Sequence, residues 1–214
     1  IDYLNMVLKI DERNIHALDN MGYNFLEQKK YEMALKNFKK SNKIEGKSND
    51  DNFASNKMVD AYFLKDDNKN ALELAQQLRK EKKANARTYY IIGWIQREEE
   101  KYDDAIISHK EALRRNKNSS TFFELGLCYA RKGRYDLAIL YYEKALVGRK
   151  EGTELALTNL GNCYYEIKEY QTALNNFEKA LEANPKYVRG FLWKLQTEDA
   201  LEKWDQLVLD YDKH

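Results

Sequence analysis

The side chains best suited to bond-making chemistry are few and scattered: three histidines and two cysteines in 214 residues. His16, His109 and His214 stand far apart, and none has a second histidine four residues on, the spacing that puts two zinc ligands on one helix face. There is no Gly-x-Ser-x-Gly elbow to expose a nucleophile, no glycine-rich loop to cradle a phosphate and no Cys-x-x-Cys pair. Glu98-Glu99-Glu100 is an acidic run, but calcium takes its oxygens from spaced loop positions, so the run reads as a solvated turn. Arg79-Lys80-Glu81-Lys82-Lys83 is a short basic run broken by an acid. A helix C-terminus favours such cations through its dipole, so a solvated helix end accounts for it. No catalytic residue, metal ligand set or cofactor emerges, and the chain is expected not to be an enzyme. What remains is recognition by aromatic, amide and charged side chains, and the question becomes which elements hold them.

Residues 154–187 give the pattern. Leu157, Leu160, Gly161 and Tyr164 lie on one face of a helix, and Tyr170, Ala173, Phe177 and Ala180 lie on one face of a second. Lys168 and Glu169 fall between them, a link so short that the two helices must be antiparallel neighbours. Gly161 and Ala173 are small enough to let the backbones approach, and Pro185 sits where the second helix should stop. The interval of twelve from Gly161 to Ala173 recurs from Gly22 to Ala34, Gly93 to Ala105 and Gly126 to Ala138. One copy is degenerate: Val59 replaces the glycine before Ala71. The alanines at 34, 71, 105, 138 and 173 are separated by 37, 34, 33 and 35 residues, the mark of a helical repeat array.

Leu-Gly-x-x-Tyr, then alanine, an aromatic and alanine, resembles the tetratricopeptide repeat family. The resemblance spans residues 15–187 as five repeats: 15–48, 52–85 (degenerate), 86–118, 119–153 and 154–187. It implies an all-α fold, a right-handed α-solenoid of antiparallel helix pairs. The family's early tryptophan is replaced by Leu18, Ser55, Tyr89, Phe122 and Leu157, and its terminal proline survives only as Pro185. In residues 1–14, Leu4, Val7 and Leu8 take the places of Phe177, Ala180 and Leu181, so the segment reads as the second helix of a truncated preceding repeat. Residues 188–214 read as a partial repeat or C-terminal capping helices, one from Val188 to Glu202 and a shorter one from Trp204. The stretch from Glu45 to Asn52 reads as a tolerated loop insertion, which accounts for the step of 37.

Composition narrows the partners. With 36 basic and 35 acidic residues the net charge is +1, so no global field favours nucleic acid or an anionic membrane. No run of eighteen apolar residues is present to span a membrane. Cys128 and Cys163 each stand two residues after a repeat glycine; equivalent places in stacked repeats lie beyond disulfide reach, so the thiols are expected free in a reducing, cytoplasmic setting. Tyr31, Tyr102, Tyr135 and Tyr170 open second helices, while Tyr62, Tyr129 and Tyr164 pack first helices, so most tyrosines serve the core.

In the family the first helix of each pair lines a concave groove. Carried onto this sequence, the resemblance implies a partner-binding groove of Asn20, Tyr23, Glu27, Lys57, Asp60, Tyr90, Trp94, Arg97, Phe123, Leu127, Arg131, Asn159, Asn162, Tyr165, Glu166 and Trp193. Exposed Tyr90, Trp94 and Phe123 exceed what a solvated face needs, and tryptophan, tyrosine and arginine dominate binding hot spots. The chaperone-binding subclass, which clamps a C-terminal carboxylate, is disfavoured: Thr158 stands where its lysine is wanted and Trp193 where its second asparagine is. The expectation is a non-catalytic scaffold that binds a partner peptide or helix within a multiprotein assembly, with no cofactor, and with self-association through the end repeats as a variant. A pentatricopeptide-like RNA binder would need a basic groove, against which Glu27, Asp60, Glu98, Glu124 and Glu166 argue. A regulatory module of a larger enzyme is the other alternative.

Overall fold

The computed structural model describes residues 2–45, 52–149 and 151–211, and these residues form twelve α-helices and no strand. Two compact units divide the chain, residues 1–116 and 117–214. The first holds α1 (Asp2–Ile10), α2 (Ile15–Glu27), α3 (Tyr31–Glu45), α4 (Phe53–Leu64), α5 (Asn68–Lys80), α6 (Ala86–Glu98) and α7 (Tyr102–Arg115). The second holds α8 (Ser119–Arg131), α9 (Tyr135–Leu146), α10 (Glu154–Glu166), α11 (Tyr170–Ala183) and α12 (Val188–Tyr211). Within each unit consecutive helices pack as hairpins, and each first helix also packs on the second helix of the pair before it.

Local chemistry starts and stops these helices. Asn14, Asn85 and Asn118 cap α2, α6 and α8 by accepting from the backbone N–H three residues on, at 2.9 Å in each case. Each first helix ends with one residue in the left-handed region: Lys29, Asp66, Glu100, Gly133 and Lys168, at φ between 58° and 69°. In each, the next residue's N–H reaches back to the carbonyl five positions earlier, as from Lys30 to Phe25 and from Glu169 to Tyr164, at 2.8 and 2.9 Å. Only one of the five is glycine, so four turns hold a side chain in a conformation that L-residues avoid.

The hairpins close on a pair of residues sixteen apart. A Cβ built on Gly22, Gly126 or Gly161 would lie 2.6 Å from the ring of Phe38, Tyr142 or Phe177, and one on Gly93 would lie 2.7 Å from the ring of His109. These rings are essentially inaccessible, so the glycine is the space the ring fills. The degenerate repeat obeys the same rule in reverse. Val59 stands at the glycine place and Ala75 sixteen residues on; both are fully buried in one core cluster, so the bulk has moved from the second helix to the first at similar total volume.

The C-terminal expectation is corrected. α12 runs unbroken from Val188 to Tyr211, through the break expected between Glu202 and Trp204. Leu195 stands at the glycine place, so the small residue that lets a second helix approach is missing there. The loop read from Glu45 to Asn52 lies largely outside the described residues, as does His214.

Candidate functional site

In the first unit, α2, α4 and α6 carry the expected groove residues. Asp60 is buried, with 7% exposure, and anchors two cations: Arg87 Nε donates to its Oδ1 at 3.0 Å and Lys57 Nζ to its Oδ2 at 3.3 Å. Those cations then cover aromatic faces. The Arg87 guanidinium lies 5.0 Å from the Tyr90 ring centre and 5.7 Å from that of Phe63, and Lys57 Nζ lies 5.5 Å from that of Tyr23. Trp94 meets Phe63 edge-on at 5.0 Å with Arg97 5.5 Å from its own ring, and Tyr90 meets His109 edge-on at 5.6 Å. Tyr90 and Trp94 are therefore half-buried among their own neighbours, not the freely exposed anchors their places implied. Their bulk fills the gaps between adjacent first helices. Asn20, Tyr23 and Glu27 on α2 remain exposed.

Asn56 is a polar residue that sequence reasoning passed over. Buried on α4, it accepts from Asn85 N–H at 3.0 Å and from the Thr88 hydroxyl at 2.6 Å, and it donates to the carbonyls of Asn52 at 2.8 Å and Lys83 at 3.1 Å. Its amide joins α4 to the start of α6, a structural task. His109 is the opposite case. Neither ring nitrogen finds a partner among the described residues, and burial, then Arg97, pushes its pKa down to about 3.

The second unit holds an open cleft of about 430 Å³ between α8, α10 and α12. Seven expected residues come together in its lining: Phe123, Leu127, Arg131, Asn159, Asn162, Glu166 and Trp193. Phe123 leans on Tyr142 at 5.6 Å, and Trp193 stacks on Phe177 at 6.2 Å with 14° between the rings. Tyr165 does not line the cleft; it supports Trp193 from the side at 5.6 Å and accepts from Gln196 Nε2 at 3.4 Å. Arg189 does line it and was missed, although it stands one helical turn before Trp193 on the same face. Tyr135 and Leu155 were missed as well, because neither falls at the carried-over places.

The uncharged polar groups of this cleft are largely withdrawn from solvent. Asn159 is 8% exposed, yet its side chain lines the cleft, and Asn162 Oδ1 is buried without a hydrogen-bond partner among the described residues. Burial, then the Glu166 carboxylate, raises the pKa of the Tyr135 phenol. Burial, again with Glu166, pushes the Cys163 thiol up to about 12, so it stands neutral at physiological pH. Cys128 and Cys163 are both buried, and neither forms a disulfide. Among the described residues no cluster of three or more His, Cys, Asp or Glu is arranged for a metal ion, and no helix is long and apolar enough to cross a membrane.

Tetratricopeptide repeat profiles match residues 86–119 and 119–186. Residues 86–186 of this chain are tetratricopeptide repeats. No curated protein sequence matches the chain. Solved structures match its fold: YrrB, described as a tetratricopeptide repeat protein with an unusual peptide-binding site, at TM-score 0.71 and 19% identity over 89% of this chain and 97% of that one. MamA follows at 0.66 and 23% identity, over 82% and 94%, and PilF of Pseudomonas aeruginosa at 0.70 and 21%, over 89% and 86%. At these identities the likeness establishes the fold. The family is in general a non-catalytic module that binds protein partners, and its repeats make this chain a protein–protein interaction scaffold.

Proposed function

We propose that this scaffold holds an extended or helical segment of a partner protein in the cleft between α8, α10 and α12, as a non-catalytic component of a multiprotein assembly. The observation that carries the reading is Asn162 Oδ1, a buried acceptor without a partner, beside Asn159 in a cleft walled by Phe123, Leu127 and Trp193. A buried acceptor left unmade costs about 1–3 kcal/mol, so a ligand N–H that reaches it recovers that energy on binding. An apolar ligand side chain enters between Phe123 and Trp193, the two amides bond the ligand backbone, and Arg131, Arg189 and Glu166 set its direction by charge. The first unit's share of the expected groove, from Tyr23 to Arg97, is a cation-capped face of its own.

Selection of random peptides displayed on phage, with counter-selection against an Asn159→Ala, Asn162→Ala variant, tests this. Enriched peptides that carry one central apolar residue and lose binding to the variant support the cleft. Peptides that bind both proteins equally remove it as the site.

Self-association is favoured separately by the end helices. Val188, Phe191, Leu192 and Leu195 form an exposed apolar stripe on α12, and Tyr3, Met6 and Ile10 form one on α1. Sedimentation over a range of concentrations decides it, with Phe191→Glu, Leu195→Glu expected to leave a monomer.

A further inference from the structure

The first unit contains a second cleft, of about 620 Å³, between α1 and α3 over α2. Its floor is apolar, formed by Leu18, Met21 and Phe25, with Leu8 of α1 and the half-exposed Met33 of α3 as walls. Its rim is basic: Lys30, Lys36 and Lys40 line it, and no carboxylate does. Some lysines elsewhere are neutralised by acids, as Lys57 is by Asp60, Lys65 by Glu32 and Lys194 by Glu198. Here Lys30 bonds only the neutral amide of Gln28, at 2.8 Å, and Lys36 and Lys40 have no ion pair among the described residues. In a chain of net charge +1, three lysines and no carboxylate around one cleft make a locally basic site.

We propose that this cleft binds an acidic amphipathic segment of a partner protein, its apolar side chains on the floor of Met21 and Phe25 and its carboxylates on Lys30, Lys36 and Lys40. Lys36 and Lys40 stand one helical turn apart, a spacing that a helix with acids at i and i+4 reproduces. The concave shape favours such a ridge of apolar side chains. A lipid surface requires apolar groups that protrude, and single-stranded nucleic acid requires exposed aromatic platforms, whereas Phe25 is 8% exposed at the bottom of the cleft. This site lies on different helices from the α8–α10–α12 cleft and does not depend on it.

The test uses a fluorescein-labelled helical peptide of about fourteen residues, with leucines at i, i+3, i+4 and i+7 and glutamates on both flanks. A matched peptide carries glutamine in place of every glutamate. Fluorescence anisotropy is read against the wild type, Lys36→Glu, Lys40→Glu, and Asn159→Ala, Asn162→Ala. Both lysines are on the surface, so the reversed variant is expected to keep its helical circular dichroism. The acidic peptide should bind the wild type saturably and weaken about tenfold or more in the lysine variant, with the glutamine peptide or at high salt. The asparagine variant should bind it unchanged. No saturable binding, equal binding by the lysine variant or the glutamine peptide, or loss in the asparagine variant would each overturn the proposal. So would anionic lipid vesicles or single-stranded RNA displacing the peptide at lower concentration.

Discussion

Acidification should unfold the first unit by protonating one residue that the folded state cannot protonate. His109 fills the ring place against Gly93, is fully buried and has no hydrogen-bond partner for either nitrogen among the described residues. Few groups bear on it: the neutral Tyr90 meets its ring edge-on, and Arg97 adds a repulsive positive charge to the effect of burial. Its pKa is pushed down to about 3, against 6.5 for an ordinary histidine. The unfolded chain therefore binds the extra proton between those values, and stability falls as pH drops through that window. Above the ordinary value the contribution is constant. The slope approaches about 1.4 kcal/mol per pH unit, which amounts to a loss of about 2 kcal/mol from about pH 7.5 to about pH 5. Replacing His109 by phenylalanine, the residue at Phe38 and Phe177, removes both the proton site and two unpartnered nitrogens. The variant should gain about 1–3 kcal/mol at neutral pH and lose most of the acid sensitivity. Urea denaturation followed by circular dichroism at pH 5 to 8, with hydrogen exchange of α6 and α7 to localise the change, measures both. Parallel pH profiles for wild type and His109→Phe would refute the reasoning.

The sixteen-residue closure rule predicts non-additivity in the degenerate repeat. Val59→Gly and Ala75→Phe should each cost about 1–3 kcal/mol, whereas the double variant should recover much of the loss, as a double-mutant cycle in urea reads out. Glu100, in the left-handed region, should gain about 1 kcal/mol on replacement by glycine, seen as a raised thermal midpoint. Asn56→Ala leaves the Thr88 hydroxyl and the backbone groups of Asn85 and Lys83 without their partner. It should cost about 2–4 kcal/mol, and hydrogen exchange should quicken first at the start of α6.

Helical hairpins are legible in sequence because their information is local. A periodic apolar face, an asparagine cap and a small residue opposite a large one all fall within about 34 residues, and stacking repeats the same solution. For that reason the hairpins and the lack of a disulfide between Cys128 and Cys163 followed from the repeat spacing. Tyr90 and Trp94 show where this stops. They lie on a first helix as expected, but Arg87 and Arg97 cover them from one turn away on the same helix, and Phe63 of α4 meets Trp94 from the neighbouring one, a contact that no period encodes. α12 runs on through the break expected between Glu202 and Trp204. The cleft that keeps Asn159 and Asn162 together exists because Phe123, Arg189 and Trp193 come from other helices, and the lysine-rimmed cleft because α1 and α3 stand apart over α2. Sequence by itself determined which faces are apolar and how the chain folds back on itself, because periodicity records burial along one helix. Only the tertiary structure decided which polar and aromatic groups stay available, because availability depends on what the neighbouring helix places against them.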